Sequence, residues 1–434
     1  MVLYLYKVKK EEFVVAYAFY TKVQKVRPHS NADRLDVATV FGMDTIVTKD
    51  TWKAGDYCIY FANGGVISSQ YLAVNNMYRH SELNADKAVA GYFEDNGRVK
   101  TMKLRGEMSD GIIMRPESLY GFVTPGEVKQ FADNWEIDKI GNFTLAQKYI
   151  PRYKKGPSGA GNAKRNKKKL IPEHIDTNQL NYNLRRFEGP CEVSISYKLH
   201  GTSGRFAALR RPWWKFWAPK FVSGSRRVEF LSFNDKNGGF YGTNQFRKDY
   251  HDKLAKIIPP GYTLYFEIVG WVNEDTPIMP IYNTNKLDKE LQKEFGPQMI
   301  FSYGCEQGKN EIYLYRVTYD DRELSPEEIF KFGEKYNIPV VPFCVIPSRP
   351  GWHDWTQIDG VEELEEALQY QFQDYRDRLD PSHLLEGVVV RRKNELGTWE
   401  AYKLKTNEFK IIDDIENSGM KPDDISQDVL EEMS

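Results

Sequence analysis

From Phe13 to about Met114 the apolar residues come in short runs separated by Gly, Asn and Asp: Val14 to Phe19, Leu35 to Val40, Thr45 to Thr48, Tyr57 to Phe61, Val99 to Leu104 and Gly111 to Met114. Runs of this length, rich in β-branched and aromatic residues and bounded by turn formers, predict strands, and their spacing predicts a small all-β barrel. Gln70 to Asp95 has no clear periodicity and reads as an elaborated loop. Between Lys148 and Lys169 the pattern gives way to Pro, Gly, Ser and Asn and to a cationic run, Ala163-Lys164-Arg165-Asn166-Lys167-Lys168-Lys169, which is linker composition. From Leu170 onward β-rich runs return, interrupted by helical patterns at Lys248 to Ile257, Pro326 to Tyr336 and Val361 to Asp377. Ser325 followed by Pro326-Glu327-Glu328 is a capped helix start. The pattern therefore predicts a β-barrel domain over 1–147, a basic linker over 148–169 and an α+β domain over 170–434, with no internal repeat.

Length agrees with this division, because 434 residues exceed what one core usually supports. A composition of 41% hydrophobic and 28% charged residues excludes general disorder. Sixty Lys and Arg against 61 Asp and Glu leave a net charge of −1, so a polyanionic partner must be met by local patches. The cysteines, Cys58, Cys191, Cys305 and Cys344, form neither a C-x-x-C nor a zinc-like spacing, which fits reduced thiols in a cytoplasmic setting. The apolar run at the N-terminus is too short for a signal segment, and no stretch reaches the roughly 18 apolar residues of a membrane span. The expectation is a soluble intracellular protein, with no membrane association and no obligate protein partner evident.

The sharpest chemical signal is Ser194-Ile195-Ser196-Tyr197-Lys198-Leu199-His200-Gly201-Thr202-Ser203, in which a β-run delivers a lysine and a glycine three residues later permits a tight turn. A lone lysine at a strand end is usually a surface charge. Four further elements follow in order. Ser223-Gly224-Ser225-Arg226-Arg227 is a small-residue turn bearing arginine, and Leu264-Tyr265-Phe266-Glu267-Ile268-Val269-Gly270 is an apolar strand with one acid. Ile300-Phe301-Ser302-Tyr303 is an aromatic strand; Leu385-Glu386-Gly387-Val388-Val389-Val390 repeats the acid-in-strand theme and leads to Tyr402-Lys403-Leu404-Lys405. Alternation places Lys403 and Lys405 on one strand face, where both can grip one phosphate. A lysine attacks phosphorus only as the neutral amine, so it needs burial and neighbouring cations, which also stabilise the charge that builds up on phosphate oxygens.

The ordered set K-x-H-G, S-R, F-E-x-x-G, aromatic strand, E-G-V-V-V, K-x-K resembles the covalent nucleotidyltransferases, which comprise DNA ligases, RNA ligases and mRNA capping enzymes, over Ser194 to Lys405. The resemblance implies a domain of antiparallel sheets flanked by helices, ATP as cofactor, and Lys198 as nucleophile within a cationic surround of Lys403, Lys405, Arg226 and Arg227. It implies that Tyr197, Leu199 and Gly201 line the nucleotide and that Tyr303, or Phe301 on the same strand face, stacks on adenine. Glu267 and Glu386 would hold a hydrated Mg2+ or Mn2+ ion or the ribose hydroxyls. Many members carry Asp where this chain has His200; some RNA ligases carry His there.

Val26-Arg27-Pro28-His29-Ser30-Asn31-Ala32-Asp33-Arg34-Leu35, with Ala54-Gly55-Asp56 and Lys103-Leu104-Arg105-Gly106-Glu107-Met108-Ser109-Asp110-Gly111, resembles the OB-fold modules attached to tRNA-binding proteins and to some ligases. In such a module Arg34, Lys100, Lys103 and Arg105 would meet nucleic acid. An OB-type barrel before the catalytic domain, and only an acidic segment from 406 to 434 after K-x-K, is similar to a subgroup of ATP-dependent RNA ligases. The fold expected is α+β, and the function expected is joining of 3′-OH and 5′-phosphate RNA ends through a lysyl-AMP, in RNA repair, on RNA, a nicked duplex or an RNA/DNA hybrid. A capping-type guanylyltransferase and a non-catalytic binding protein that kept the fold are the alternatives. The cationic and aromatic insertion Arg210 to Lys220 suits either base stacking or interdomain packing.

Overall fold

The computed structural model describes residues 16–149, 169–172, 174, 177–211, 213–214, 220–230, 233, 241–284, 287, 289–344, 356–395 and 397–419. Most of the basic run before Leu170, the centre of the Arg210 to Lys220 insertion and the acidic end of the chain lie outside the described residues. The chain divides into two compact units, Met1–Tyr149 and Ile150–Ser434.

In the first unit the short apolar runs become two antiparallel sheets. One has the order Trp135–Glu136, Ala18–Lys22, Tyr57–Phe61, Ile112–Met114; the other joins Lys25–Pro28, Leu35–Val40 and Met43–Thr48. The chain passes from the first sheet to the second at Val23 and Gln24, whose N–H groups donate to the carbonyls of Asp56 and Thr39. At the far edge the Asp110 N–H donates to the Asp44 carbonyl at 2.7 Å. There side chains take over from the ladder: Thr45 Oγ1 donates to the Asp110 carbonyl and Ser109 Oγ accepts the Ile46 N–H. The sheets are thus linked at both edges without closing into the single barrel expected.

Both faces of the first sheet are covered, which explains its near-continuous apolar strands. Phe19 and Tyr60 pack around Phe41, while Ala18, Tyr20, Ile59 and Phe61 meet a second layer that includes Ile67, Tyr71, Leu72, Tyr78 and Phe93. The segment read as a loop between Gln70 and Asp95 supplies part of that layer. It starts as the helix Ser69–Val74, and beyond it the buried Asn84 side chain accepts the Tyr78 N–H and donates to the Tyr78 and Val89 carbonyls. A side chain that satisfies three backbone groups leaves no hydrophobic period for sequence reasoning to find.

The second unit is built on two sheets. The larger runs Glu229–Phe230, Phe221–Gly224, Thr202–Ala208, Tyr262–Asn273, Asn310–Tyr319, Arg322–Glu323, with Thr276–Pro277 paired on Tyr262–Asn273. The smaller runs Asn178–Gln179, Trp399–Lys405, Gly387–Lys393, Pro190–Lys198, Thr356–Asp359, antiparallel except for its first pair. One face of the larger sheet, with Phe206, Leu264, Phe266, Ile268 and Leu314, forms a core with the helices Gln245–Ile257 and Pro326–Tyr336. The latter opens on the expected capping box, in which Ser325 and Glu328 each satisfy the other's backbone N–H. One face of the smaller sheet, with Ile195, Tyr197, Val388, Val390 and Tyr402, packs on the helix Val361–Gln371.

The opposite faces are polar and meet each other. Arg391, on the smaller sheet, donates to Glu323 at the edge of the larger, and Arg316 Nε lies 3.2 Å from the same carboxylate. Two elements depart from expectation. The helix from Val361 stops at Gln371 instead of continuing to Asp377, because the chain folds back so that the Leu385 N–H reaches the Tyr375 carbonyl. Beyond Lys405 a helix, Asn407–Gly419, forms in the stretch read as acidic and poorly apolar; Phe409 and Ile412 anchor it in the core.

Candidate active site

Lys198 is the last residue of its strand, where the chain leaves the smaller sheet and turns through Leu199–Gly201 into the larger one. The turn is tight: a Cβ at Gly201 would lie 2.3 Å from the Ile268 carbonyl, so only glycine fits. The cross-strand register then does the positioning. Lys198 pairs with Gly387, and Gly387 pairs with Lys405, so the two lysines stand in one rank on three adjacent strands. Gly387 is the bare centre of that rank, since a Cβ there would meet the Leu404 carbonyl at 2.1 Å.

Glu386 completes the rank from the side. Its backbone carbonyl accepts the Thr406 N–H at 2.9 Å, which fixes its height between the lysines. Its carboxylate is 1% exposed and lies 2.8 Å from Lys198 Nζ and 3.5 Å from Lys405 Nζ. Burial alone would raise this carboxyl, but Lys198, Lys405 and His200 outweigh it and hold it below the usual carboxylate range. Lys405 also pairs with Asp413 at 3.0 Å, from the helix the sequence did not announce. Burial pulls that ammonium down; Asp413 and Glu386 more than reverse it and keep Lys405 charged.

His200 is sealed beneath the rank. Phe301 and Phe409 lie edge-on to its ring at 4.9 Å, and Nε2 shares a hydrogen bond with Tyr282 Oη. Burial pushes the imidazole down to about 4, so it is neutral at physiological pH, with Nδ1 3.9 Å from Glu386. The His200 N–H donates to Tyr303 Oη at 2.5 Å, tying the turn after the lysine to the aromatic strand. Glu267 accepts from Ser203 Oγ at 3.4 Å across the sheet. Arg247 holds that same turn from behind, donating to the Ser203 carbonyl and to Thr202 Oγ1.

The structure therefore brings Lys198, Lys405, Glu386 and His200 together and links Tyr303 to them. Lys403 lies one rank along from Lys405, opposite Val389 and on the same strand face. Tyr197 is on the other face of the sheet, hydrogen-bonded to Gln371, as alternation demands of the residue before Lys198. Leu199 packs in the core of the larger sheet, and Phe301 is enclosed by His200, Tyr282, His383 and Phe409. Arg226 and Arg227 occupy the turn between Phe221–Gly224 and Glu229–Phe230, where the Ser225 carbonyl accepts from buried Arg205. Asp413 and Tyr282 were missed by sequence reasoning, because neither belongs to a motif and only the fold brings them to the lysines.

In the first unit the loop after Pro28 grips the hairpin of Met102–Leu104 and Glu107–Ser109. His29 Nε2 donates to the Leu104 carbonyl at 3.1 Å, and Asn31 Nδ2 to the Arg105 carbonyl at 3.0 Å. Arg27 anchors the base of this grip on Glu107 and Asp44. Lys103 and Arg105 are thereby exposed beside the loop that carries exposed Arg34. Lys100 pairs with Glu94 at 3.3 Å.

Two ammonium groups held by buried Glu386 and by Asp413, next to a neutral imidazole, make a compact charged cluster whose ammonium groups can face phosphate oxygens and in which one amine can act as nucleophile. Glu386 Oε2 and Ser194 Oγ, both buried and on or beside the lysine face, have no hydrogen-bond partner among the described residues. No group of three or more His, Cys, Asp or Glu side chains converges among the described residues. No described helix is long and apolar enough to cross a membrane.

Residues 17–116 match the family model of an OB-fold domain. No curated protein matches the chain in sequence. Among solved structures, the chain is similar to the RNA ligase of Naegleria gruberi. A complex of that ligase with PPi is 16% identical with a TM-score of 0.56, covering 91% of this chain and 98% of the ligase. A substituted form with ATP and Mn is 16% identical with a TM-score of 0.57, covering 93% and 99%. Another with AMP and Mn is 15% identical with a TM-score of 0.55, covering 91% and 98%. The chain thus has the fold of these ligases, α+β with an N-terminal OB-fold domain.

Proposed function

We propose that this protein is an ATP-dependent RNA ligase that seals 3′-OH and 5′-phosphate ends through an AMP carried on Lys198. The observation that carries the reading is the rank Lys198–Gly387–Lys405 closed by buried Glu386. The fold shared with a ligase captured with ATP, AMP and PPi supports it.

In the first step the Lys198 amine attacks the α-phosphorus of ATP; a P–N bond forms, the P–O bond to the leaving group breaks, and pyrophosphate departs. Lys405, kept charged by Asp413 and Glu386, faces the developing negative charge together with Lys403. In the second step a 5′-phosphate oxygen displaces Lys198 from phosphorus, and in the third the 3′-hydroxyl displaces AMP and closes the strand. One cationic rank serves all three in-line displacements. Glu386 and Glu267 would hold magnesium or manganese, which would neutralise phosphate charge and draw Glu386 away from the Lys198 ammonium. Tyr303 would position adenine, and Arg226 and Arg227 would meet the outer phosphates. In the OB-fold domain, Arg34, Lys103 and Arg105 would contact the RNA backbone.

The test is incubation with α-labelled ATP or GTP and magnesium, followed by denaturing electrophoresis. The expected outcome is a covalent label from ATP that is lost in Lys198→Ala by at least a thousandfold. A label from GTP instead would make the protein a capping-type guanylyltransferase, and no label from either would leave a binding protein that retains the fold.

A further inference from the structure

The sequence pattern makes Tyr303 the end of an aromatic strand, but the structure places it in a tight turn. The Cys305 N–H donates to the Ser302 carbonyl at 3.0 Å, and the two residues between them, Tyr303 and Gly304, have φ of 52° and 75°. Asn and Gly fill such turns readily; a tyrosine does not, because in the left-handed region its Cβ crowds the carbonyl that follows. The surroundings of the turn must therefore hold Tyr303 in place.

Asp380 does this from the loop that leads to Glu386. Its Oδ2 accepts from Ser302 Oγ at 2.7 Å and from the Gly304 N–H at 2.9 Å, the groups on either side of Tyr303. Its Oδ1 accepts the Ser382 N–H at 3.0 Å. Burial would raise the carboxyl, but the bonds from Ser382, Ser302 and Gly304 outweigh it and bring it down to about 2. His383 packs alongside, with Nε2 3.8 Å from Oδ2 and its ring edge-on to Tyr303 at 4.5 Å.

The strained turn delivers the Tyr303 ring, 4% exposed, to the backbone after Lys198. There its hydroxyl accepts the His200 N–H at 2.5 Å, two residues beyond the lysine. An unbroken line of contacts thus runs from Asp380 through Ser302 and Gly304 to Tyr303, and from Tyr303 to the segment that sets where the Lys198 side chain starts. Displacing a reacting group by as little as an ångström costs about a hundredfold in rate.

We propose that Asp380 is a positioning residue for Lys198: it locks Tyr303 in its left-handed turn, and Tyr303 fixes the backbone just after the lysine. The inference rests on the reading of Lys198 as the nucleophile toward ATP.

The test is the rate constant of the first labelling turnover with saturating α-labelled ATP and magnesium. It is measured on the full-length protein, unsubstituted and carrying Asp380→Ala, Tyr303→Phe or both. Each single substitution is expected to slow the turnover by about fivefold or more without changing the final amount of label, and the pair to be no slower than the slower single variant. Asp380→Asn, whose amide oxygen can still accept from Ser302 and Gly304, is expected to stay within about threefold of the unsubstituted rate. Slowings that multiply in the pair would mean that Asp380 acts through the loop before Glu386 and not through Tyr303, which overturns the inference. So would a loss of label at an unchanged rate constant, or a Tyr303→Phe protein as fast as its parent. If Asp380→Ala does not fold, Ser302→Ala decides, since it removes a bond on the turn side and leaves the one to Ser382. A slowing of about threefold or more then upholds the inference, and an unchanged rate overturns it. No label from ATP or GTP on the unsubstituted protein would remove the ligase reading, and this inference with it.

Discussion

Each unit of the protein hides a carboxylate, and the two have moved in opposite directions. In the second unit Glu386 is fully buried yet held below the usual range, because two ammonium groups and His200 overcome its desolvation. In the OB-fold unit Asp138 accepts the Tyr17 and Ala18 N–H groups at 2.8 and 2.6 Å, but burial wins and pushes its carboxyl up to about 6. The first is a charge that organises other charges; the second is a peg for two backbone amides. Burial by itself predicts neither behaviour, and the partners decide.

The contrast breaks most visibly at Glu386. Glu386→Ala leaves Lys198 and Lys405 facing each other without their shared anion, and removing one member of a buried ion pair costs about 3–5 kcal/mol. Thermal melting is expected to fall by several degrees and covalent labelling to disappear. Glu386→Gln keeps the volume and should recover part of the melting loss but none of the labelling. A melting temperature equal to that of the unsubstituted protein in both variants would mean the pair does not hold the rank together.

A weaker effect is expected where the cations are exposed. Lys198 and Lys405 are clamped by carboxylates, whereas Arg34, Lys103 and Arg105 stand out from loops held by His29 and Asn31. Each of the three changed to Ala is expected to weaken RNA binding severalfold at low salt and to reduce the slope of log affinity against log salt by about one. Labelling by ATP without RNA should be unaffected. A slope that stays constant while affinity falls would mean these side chains do not meet phosphates.

How much of this was legible in the sequence follows the same division. Lys198, Glu386 and Lys405 stood out in the sequence because each belongs to a short motif and the motifs follow in the order that resembles the nucleotidyltransferases, and the structure brings the three together. Their partners did not: Asp413 sits on a helix recognisable only once Phe409 and Ile412 are seen to be buried, and Tyr282 comes from a two-residue strand. The helix predicted through Asp377 stops at Gln371, since Asp377 belongs to a loop in which its Oδ1 accepts the Leu379 N–H, a contact that no periodicity announces. In the OB-fold unit the strands were visible as apolar runs, but the layer over them was not, since Asn84 organises it through backbone contacts.

The smallest expected effect, and the one that sharpens the comparison furthest, is Asp138→Asn. Its folded-state value of about 6 lies above the ordinary 3.8, so protonation favours the folded state. The group therefore contributes most to stability below about pH 4 and progressively less as pH rises towards 6, with its full penalty present above that. An amide oxygen can still accept the Tyr17 and Ala18 N–H groups but carries no charge to desolvate. The shift would correspond to roughly 3 kcal/mol for a fully enclosed group; partial exposure of Asp138 reduces the expectation to about 1 kcal/mol. The variant should then be more stable than the parent at pH 7.5, with the difference shrinking steadily between pH 6 and pH 4. Denaturant unfolding at these three pH values reads it directly. A variant less stable than the parent at pH 7.5 would mean that the charge on Asp138 strengthens its two amide bonds by more than its burial costs, which would make it a second case of the kind seen at Glu386, with backbone dipoles in place of lysines.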